Sequence, residues 1–111
     1  MTIPSPSLES VKKCFHDGDL KNADFQLRAF LQDNPDSIEA LHILAKLLVH
    51  KKELNDAIII LKRLRTLAPK ATKICFELGN TYLANGDLKE SVIAFRQGLA
   101  LDNQNPQAHN N

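Results

Sequence analysis

Apolar positions recur along this chain at steps of three and four. Between Ile38 and Val49 they are Ile38, Leu41, Leu44, Ala45 and Leu48, the stripe of an amphipathic helix. From Leu54 to Leu67, the set Ala57, Ile58, Ile60, Leu61 and Leu64 makes a broader face, wide enough to touch neighbours on two sides. The run Ile58-Ile59-Ile60 is strand-like locally, but the flanking period and the segment length decide for helix. The same pairing is predicted upstream, from Leu8 to His16 and from Leu20 to Gln32. It is predicted again downstream, from Lys73 to Ala84 and from Leu88 to Leu101. Every long segment reads as helix, so the fold class is all-α.

Polar and turn-forming residues mark the helix ends. Asp36 is placed to cap the helix that starts at Ile38, with Glu39 as its capping-box partner, and Pro35 lies in the turn before it. Asp19, Glu53 and Asp87 stand one residue before the other second helices, Asp87 with Glu90 at the capping-box position. Pro69 stops the helix that begins at Leu54. Gly18 and Gly86 fall at helix-to-helix turns, where a left-handed residue ends a helix at low cost. Lys52 holds that place in the middle, so it must adopt the costlier conformation or use another turn.

These signals repeat. Gly18-Asp19-Leu20-Lys21 returns as Gly86-Asp87-Leu88-Lys89 after 68 positions, with Lys52-Glu53-Leu54-Asn55 halfway, and Pro35 and Pro69 are 34 apart. A fixed period of this size implies stacked supersecondary units and an extended binding surface rather than a catalytic cavity. The expected organisation is a tail over 1–6 and one domain over 7–105. Its units span about 4–37, 38–71 and 72–105, and 106–111 open a fourth unit or a capping helix.

In the third unit Cys75 is followed by Leu78, Gly79 and Tyr82, and then by Ser91 and Phe95. The second unit has Leu41, Leu44, Ala45 and Leu48, then Ala57, Leu61 and Pro69. The first has Ser7, Ser10, Val11 and Cys14, then Ala23, Leu27 and Pro35. This pattern resembles the tetratricopeptide repeat, with Cys75 at the usual Trp position and Asn103 in place of the closing Pro. The resemblance covers nearly the whole chain. It implies a right-handed superhelical stack of three helix-turn-helix units. Small Ala45 and Gly79, with Ala23, Ala57 and Ser91, would let paired helices approach. Leu27, Leu61 and Phe95 would fill the gap towards the next unit.

Composition narrows the function classes. The chain has 111 residues, 43% of them hydrophobic, a net charge of +1 and no Trp. That suits one packed domain and argues against a large nucleic-acid footprint or a polybasic membrane anchor. The N-terminus is not a secretory signal, and no apolar run approaches the ~20 residues of a membrane span. Cys14 and Cys75 lack metal-ligand spacing and are read as reduced thiols in positions the repeat buries, which places the chain in the cytoplasm. His42 and His50 lie two turns apart with no clustered carboxylate or thiol, so no metal is expected. No nucleophile–base set and no glycine-rich phosphate loop stands out, so neither a catalytic residue nor a cofactor is expected. Acidic residues fall mostly at caps and on outer faces.

The resemblance implies that the first helix of each pair lines a concave groove for peptides or protein segments. The groove positions are Leu8, Lys12, Phe15 and His16 in unit one, His42, Lys46, Val49 and His50 in unit two, and Lys73, Phe76, Asn80 and Leu83 in unit three. Lys12 and Lys46, like His16 and His50, are 34 apart and would align as cationic rows. The expected partner is a protein or an acidic, carboxylate-bearing peptide. The family's clamp for chaperone C-termini is not expected, since only Lys73 fits it while Leu8, Lys12, Ile43 and Glu77 hold the other places. A missing cap would leave Val92, Phe95 and Leu99 exposed and favour homo-oligomers through that end. The alternative is an N-terminal accessory or dimerisation domain of a larger enzyme, such as a glycosyl- or sulfo-transferase.

Overall fold

A computed structural model describes residues 7–103. Among them are six helices: α1 (Leu8–His16), α2 (Leu20–Asp33), α3 (Ile38–His50), α4 (Leu54–Leu67), α5 (Thr72–Ala84) and α6 (Leu88–Asn103). Each helix packs on the one before it and the one after it. The expected tail over 1–6 and the opening of a fourth unit over 106–111 lie outside the described residues.

One turn is used three times. Gly18, Lys52 and Gly86 have φ of 81°, 62° and 85°. After each, a backbone N–H reaches back five residues: Asp19 to Cys14 O at 2.9 Å, Glu53 to Leu48 O at 2.8 Å and Asp87 to Tyr82 O at 2.8 Å. Gly18, Lys52 and Gly86 themselves donate to the carbonyls of Phe15, Val49 and Leu83. This is the Schellman closure, which satisfies the otherwise orphaned carbonyls of a helix end. Lys52 takes the left-handed conformation despite its Cβ, so the middle unit keeps the geometry of its neighbours at a conformational cost.

Capping differs from the sequence expectation in two places. Ser37, not Asp36, precedes α3, and its hydroxyl accepts from Ala40 N. The helix starts at Ile38, so the capping position is 37, and the hydroxyl there reaches the third helical N–H. Glu39 therefore falls one position short of a capping box, and Asp36 instead pairs with Arg63 of α4. Asp19 caps α2 through Asn22 N, whereas Glu53 precedes α4 without a side-chain cap bond. Prolines set the length of the second helices. α2 and α4 stop two residues before Pro35 and Pro69, while α6 is still helical at Asn103, the matching place.

Two buried clusters run across unit boundaries. Val11, Leu27, Ala40, Leu44, Leu47, Leu48 and Ala57 form one. Leu41, Ala45, Ile58, Leu61, Leu64, Ile74, Leu78, Tyr82 and Ala94 form the other. Helix α3 feeds both, so the core is continuous along the stack, as repeat architectures require. Ala23 and Ala57 are fully buried, and Ser91 at the equivalent place donates its hydroxyl to Gly79 O at 2.9 Å. A Cβ on Gly79 would lie 2.9 Å from the Phe95 ring, so glycine is required by that contact.

Two placements depart from expectation. Phe95 turns onto its own first helix, over Gly79 and 6.3 Å from the Phe76 ring, rather than filling a gap towards a next unit. Cys75 is buried, but Cys14 is only half-buried. Among the described residues α1 has no helix before it to cover that side, and Val11 is its one buried residue.

Candidate peptide-binding face

The helix order puts α1, α3 and α5 on one face of the stack. Between α3 and α5 lies a cleft of about 230 Å³. Ala45, Lys46 and Val49 form one wall, Glu77, Asn80 and Thr81 form the other, and Leu61 of α4 lies at the floor. The wall residues follow from helical spacing, since 45, 46 and 49 share a face, as do 77, 80 and 81. The floor is apolar and the rim carries an ammonium, a carboxylate and an amide.

Charge on this face is more balanced than the cationic rows expected from sequence. Lys12 of α1 pairs with Glu39 of α3. That hydrogen bond holds the Lys12 ammonium above its ordinary pKa, against the opposing effect of desolvation and with lesser help from the Glu39 and Glu9 charges. His42 Nε2 lies 2.6 Å from Glu77 Oε2, and with a carboxylate as acceptor the imidazole nitrogen is the donor. Both pairs tie the first helix of one unit to that of the next. Thr81 points its hydroxyl back to Glu77 O at 2.8 Å, leaving its methyl for the cleft.

The structure brings Lys46, Val49 and Asn80 together in the cleft, with His42 beside it through Glu77. It does not bring the other sequence-derived positions there. Leu8 and Phe15 pack against the first buried cluster. His16 and His50 end α1 and α3, exposed. Lys73 is exposed in the first turn of α5, and Leu83 is exposed near its end. Phe76 turns towards α6, where it covers Gly98. Sequence reasoning missed Glu39 as a partner, having placed it at a cap, and weighed Glu77 only as a misfit to the chaperone clamp. The available signal was that Glu77 lies one turn before Asn80 and Thr81, hence on their face.

Among the described residues no group of three or more His, Cys, Asp or Glu could hold a metal ion. No helix there is long and apolar enough to cross a membrane.

Residues 72–105 match the tetratricopeptide repeat model. That match covers the third unit, α5 and α6, and supports the tetratricopeptide-repeat resemblance of the chain. Its fold is that of solved repeat proteins. The "Crystal structure of MamA" superposes with a TM-score of 0.81 at 18% identity, over 86% of this chain and 56% of that one. The "MamA RS-1 ArsTM double mutant" gives 0.81 at 18%, over 87% and 55%. A further "Crystal structure of MamA protein" gives 0.77 at 23%, over 88% and 54%. The chain thus spans about half the length of these solved structures, and at such identities the likeness is one of fold. No curated protein matches the sequence. Within the tetratricopeptide-repeat frame, the cleft is an inter-repeat space between successive first helices.

Proposed function

We propose that this tetratricopeptide-repeat chain is a protein-interaction module whose first-helix face holds a peptide or protein segment. The observation that supports it best is the cleft between α3 and α5, with Leu61 below and Lys46, Glu77 and Asn80 on the rim. One apolar side chain of a ligand fits against Ala45, Val49 and Leu61. The Asn80 amide offers a donor and an acceptor to a peptide backbone, and Lys46 attracts a carboxylate. Glu77, already engaged by His42, limits how acidic the segment can be next to that wall. Both cysteines are unpaired, in keeping with a reducing compartment such as the cytoplasm.

The test is a titration of isotope-labelled protein with peptides carrying one apolar anchor beside a carboxylate. Resonances of Lys46, Val49 and Asn80 should move, and Lys46→Glu with Asn80→Ala should abolish binding. Peptides that shift none of these residues would overturn the reading.

A second reading has its own observation. Leu88, Val92 and Leu99 of α6 are 62%, 48% and 55% exposed. At the corresponding place in α4, Ile58 is buried against the next unit. An apolar face of this kind favours association of copies through α6. Sedimentation of Val92→Glu against the parent checks it, with a fall in mass expected.

A further inference from the structure

The second helices carry a row that the groove does not use. Phe25, Ile59 and Ile93 are 34 apart and 73%, 63% and 42% exposed. A single exposed apolar residue needs no explanation, but the same position left apolar and open in each unit makes a line along the outside of the stack. Three positions on, about 4.5 Å along each helix axis, stand Arg28, Lys62 and Arg96, all exposed. Further back on that same flank stand Lys21 and Lys89, whereas the opposite flank carries Asn22, Asp56 and Glu90. The apolar line therefore has a basic border on one side and a polar to acidic one on the other. Asp24 satisfies part of Arg28 at 2.8 Å and leaves Lys62 and Arg96 to face outward.

A second cleft opens on this same side. It measures about 280 Å³ and is lined by Arg28 of α2 and by Asp56, Ile59 and Ile60 of α4, with Leu44 and Leu48 of α3 beneath. It is the counterpart of the inner cleft: there a second helix lies below two first helices, and here a first helix lies below two second helices. Its volume suits one large apolar side chain, and its rim joins the exposed row at Ile59.

We infer that this outer face is a docking surface for an acidic amphipathic helix of a partner protein. The partner lies along the stack with its apolar stripe on Phe25, Ile59 and Ile93, and one of its side chains enters the cleft over Leu44 and Leu48. Its carboxylates meet the border of Arg28, Lys62 and Arg96. Charge complementarity selects an acidic rather than a basic helix. The leucine-based cleft selects a side chain rather than a lipid headgroup layer.

The probe is a synthetic helical peptide with leucines at i, i+3, i+4 and i+7, glutamates on one flank and glutamines on the other, added to the full chain. Amide shifts should centre on α2 and α4 around Phe25 and Ile59. Phe25→Ser with Ile59→Ser, both exposed and so expected to leave the fold intact, should weaken binding about tenfold or more. Arg28→Glu with Lys62→Glu should do the same, and Lys46→Glu with Asn80→Ala should leave the shifts in α2 and α4 in place. The inference is overturned if the shifts centre on Lys46 and Asn80, or if a peptide with lysines for glutamates binds equally well. It is also overturned if phosphatidylserine–phosphatidylcholine vesicles bind this face while the peptide does not, or if Phe25→Ser dissolves a self-associated form without affecting the peptide.

Discussion

Lys52 is the residue at which this stack is most visibly strained. Its φ of 62° matches that of the two glycines in the equivalent turns, and a side chain there costs roughly 1–2 kcal/mol against the following carbonyl. Lys52→Gly should stabilise the protein by about 0.5–1 kcal/mol once the added chain entropy of glycine is set against that relief, read as a rise in the urea midpoint. Gly79 and Gly98 obey the opposite logic. Alanine would gain about 1 kcal/mol of helix propensity at either. Its Cβ would lie 2.9 Å from the Phe95 ring at Gly79 and 2.8 Å from Phe76 Cε1 at Gly98. Gly79→Ala should therefore lower stability by about 1–3 kcal/mol net, and an unchanged melting curve would show that Phe95 can move aside at no cost.

At the scale of the helix, what could be read from the sequence follows the range of the forces. All of the helices, and their starts and stops to within two residues, were legible because periodicity and local breakers set them. The cap of α3 was not, since Asp36 and Ser37 are both capping residues and only the first helical turn decides between them. The inter-repeat pairs Lys12–Glu39 and His42–Glu77 were hidden for another reason. They join different positions in successive units, so the 34-residue period gives no hint of them. Of the candidate site, Lys46, Val49 and Asn80 were legible as groove positions, whereas Phe76 was not, because its ring follows the space that Gly98 leaves in α6. Leu61 links packing to the site. It is 1% exposed, belongs to the second buried cluster and lies at the floor of the inner cleft. Leu61→Ala should cost about 2–5 kcal/mol and also weaken any ligand whose anchor rests there. Calorimetry for the first effect and titration for the second separate the two.

Across the whole molecule the stack is uneven. Helix α1 has 9 residues and one that is buried, whereas α5 has 13 and buries Ile74, Cys75, Leu78, Gly79, Thr81 and Tyr82. In a linear array each unit is held by its own core and by its neighbours, so the sparsest end opens first. Amide exchange should be fastest in α1 and α2 and slowest in α4 and α5. Equal protection throughout would show the stack to be a single cooperative unit. The shortness of α1 also bears on lifetime. A trypsin-like protease sampling the native ensemble meets Lys12, Lys13 and Lys21 in the hairpin that opens most often. The first cuts should fall there, and a partner lying across α2 and α4 would lengthen the protein's half-life by holding that hairpin shut.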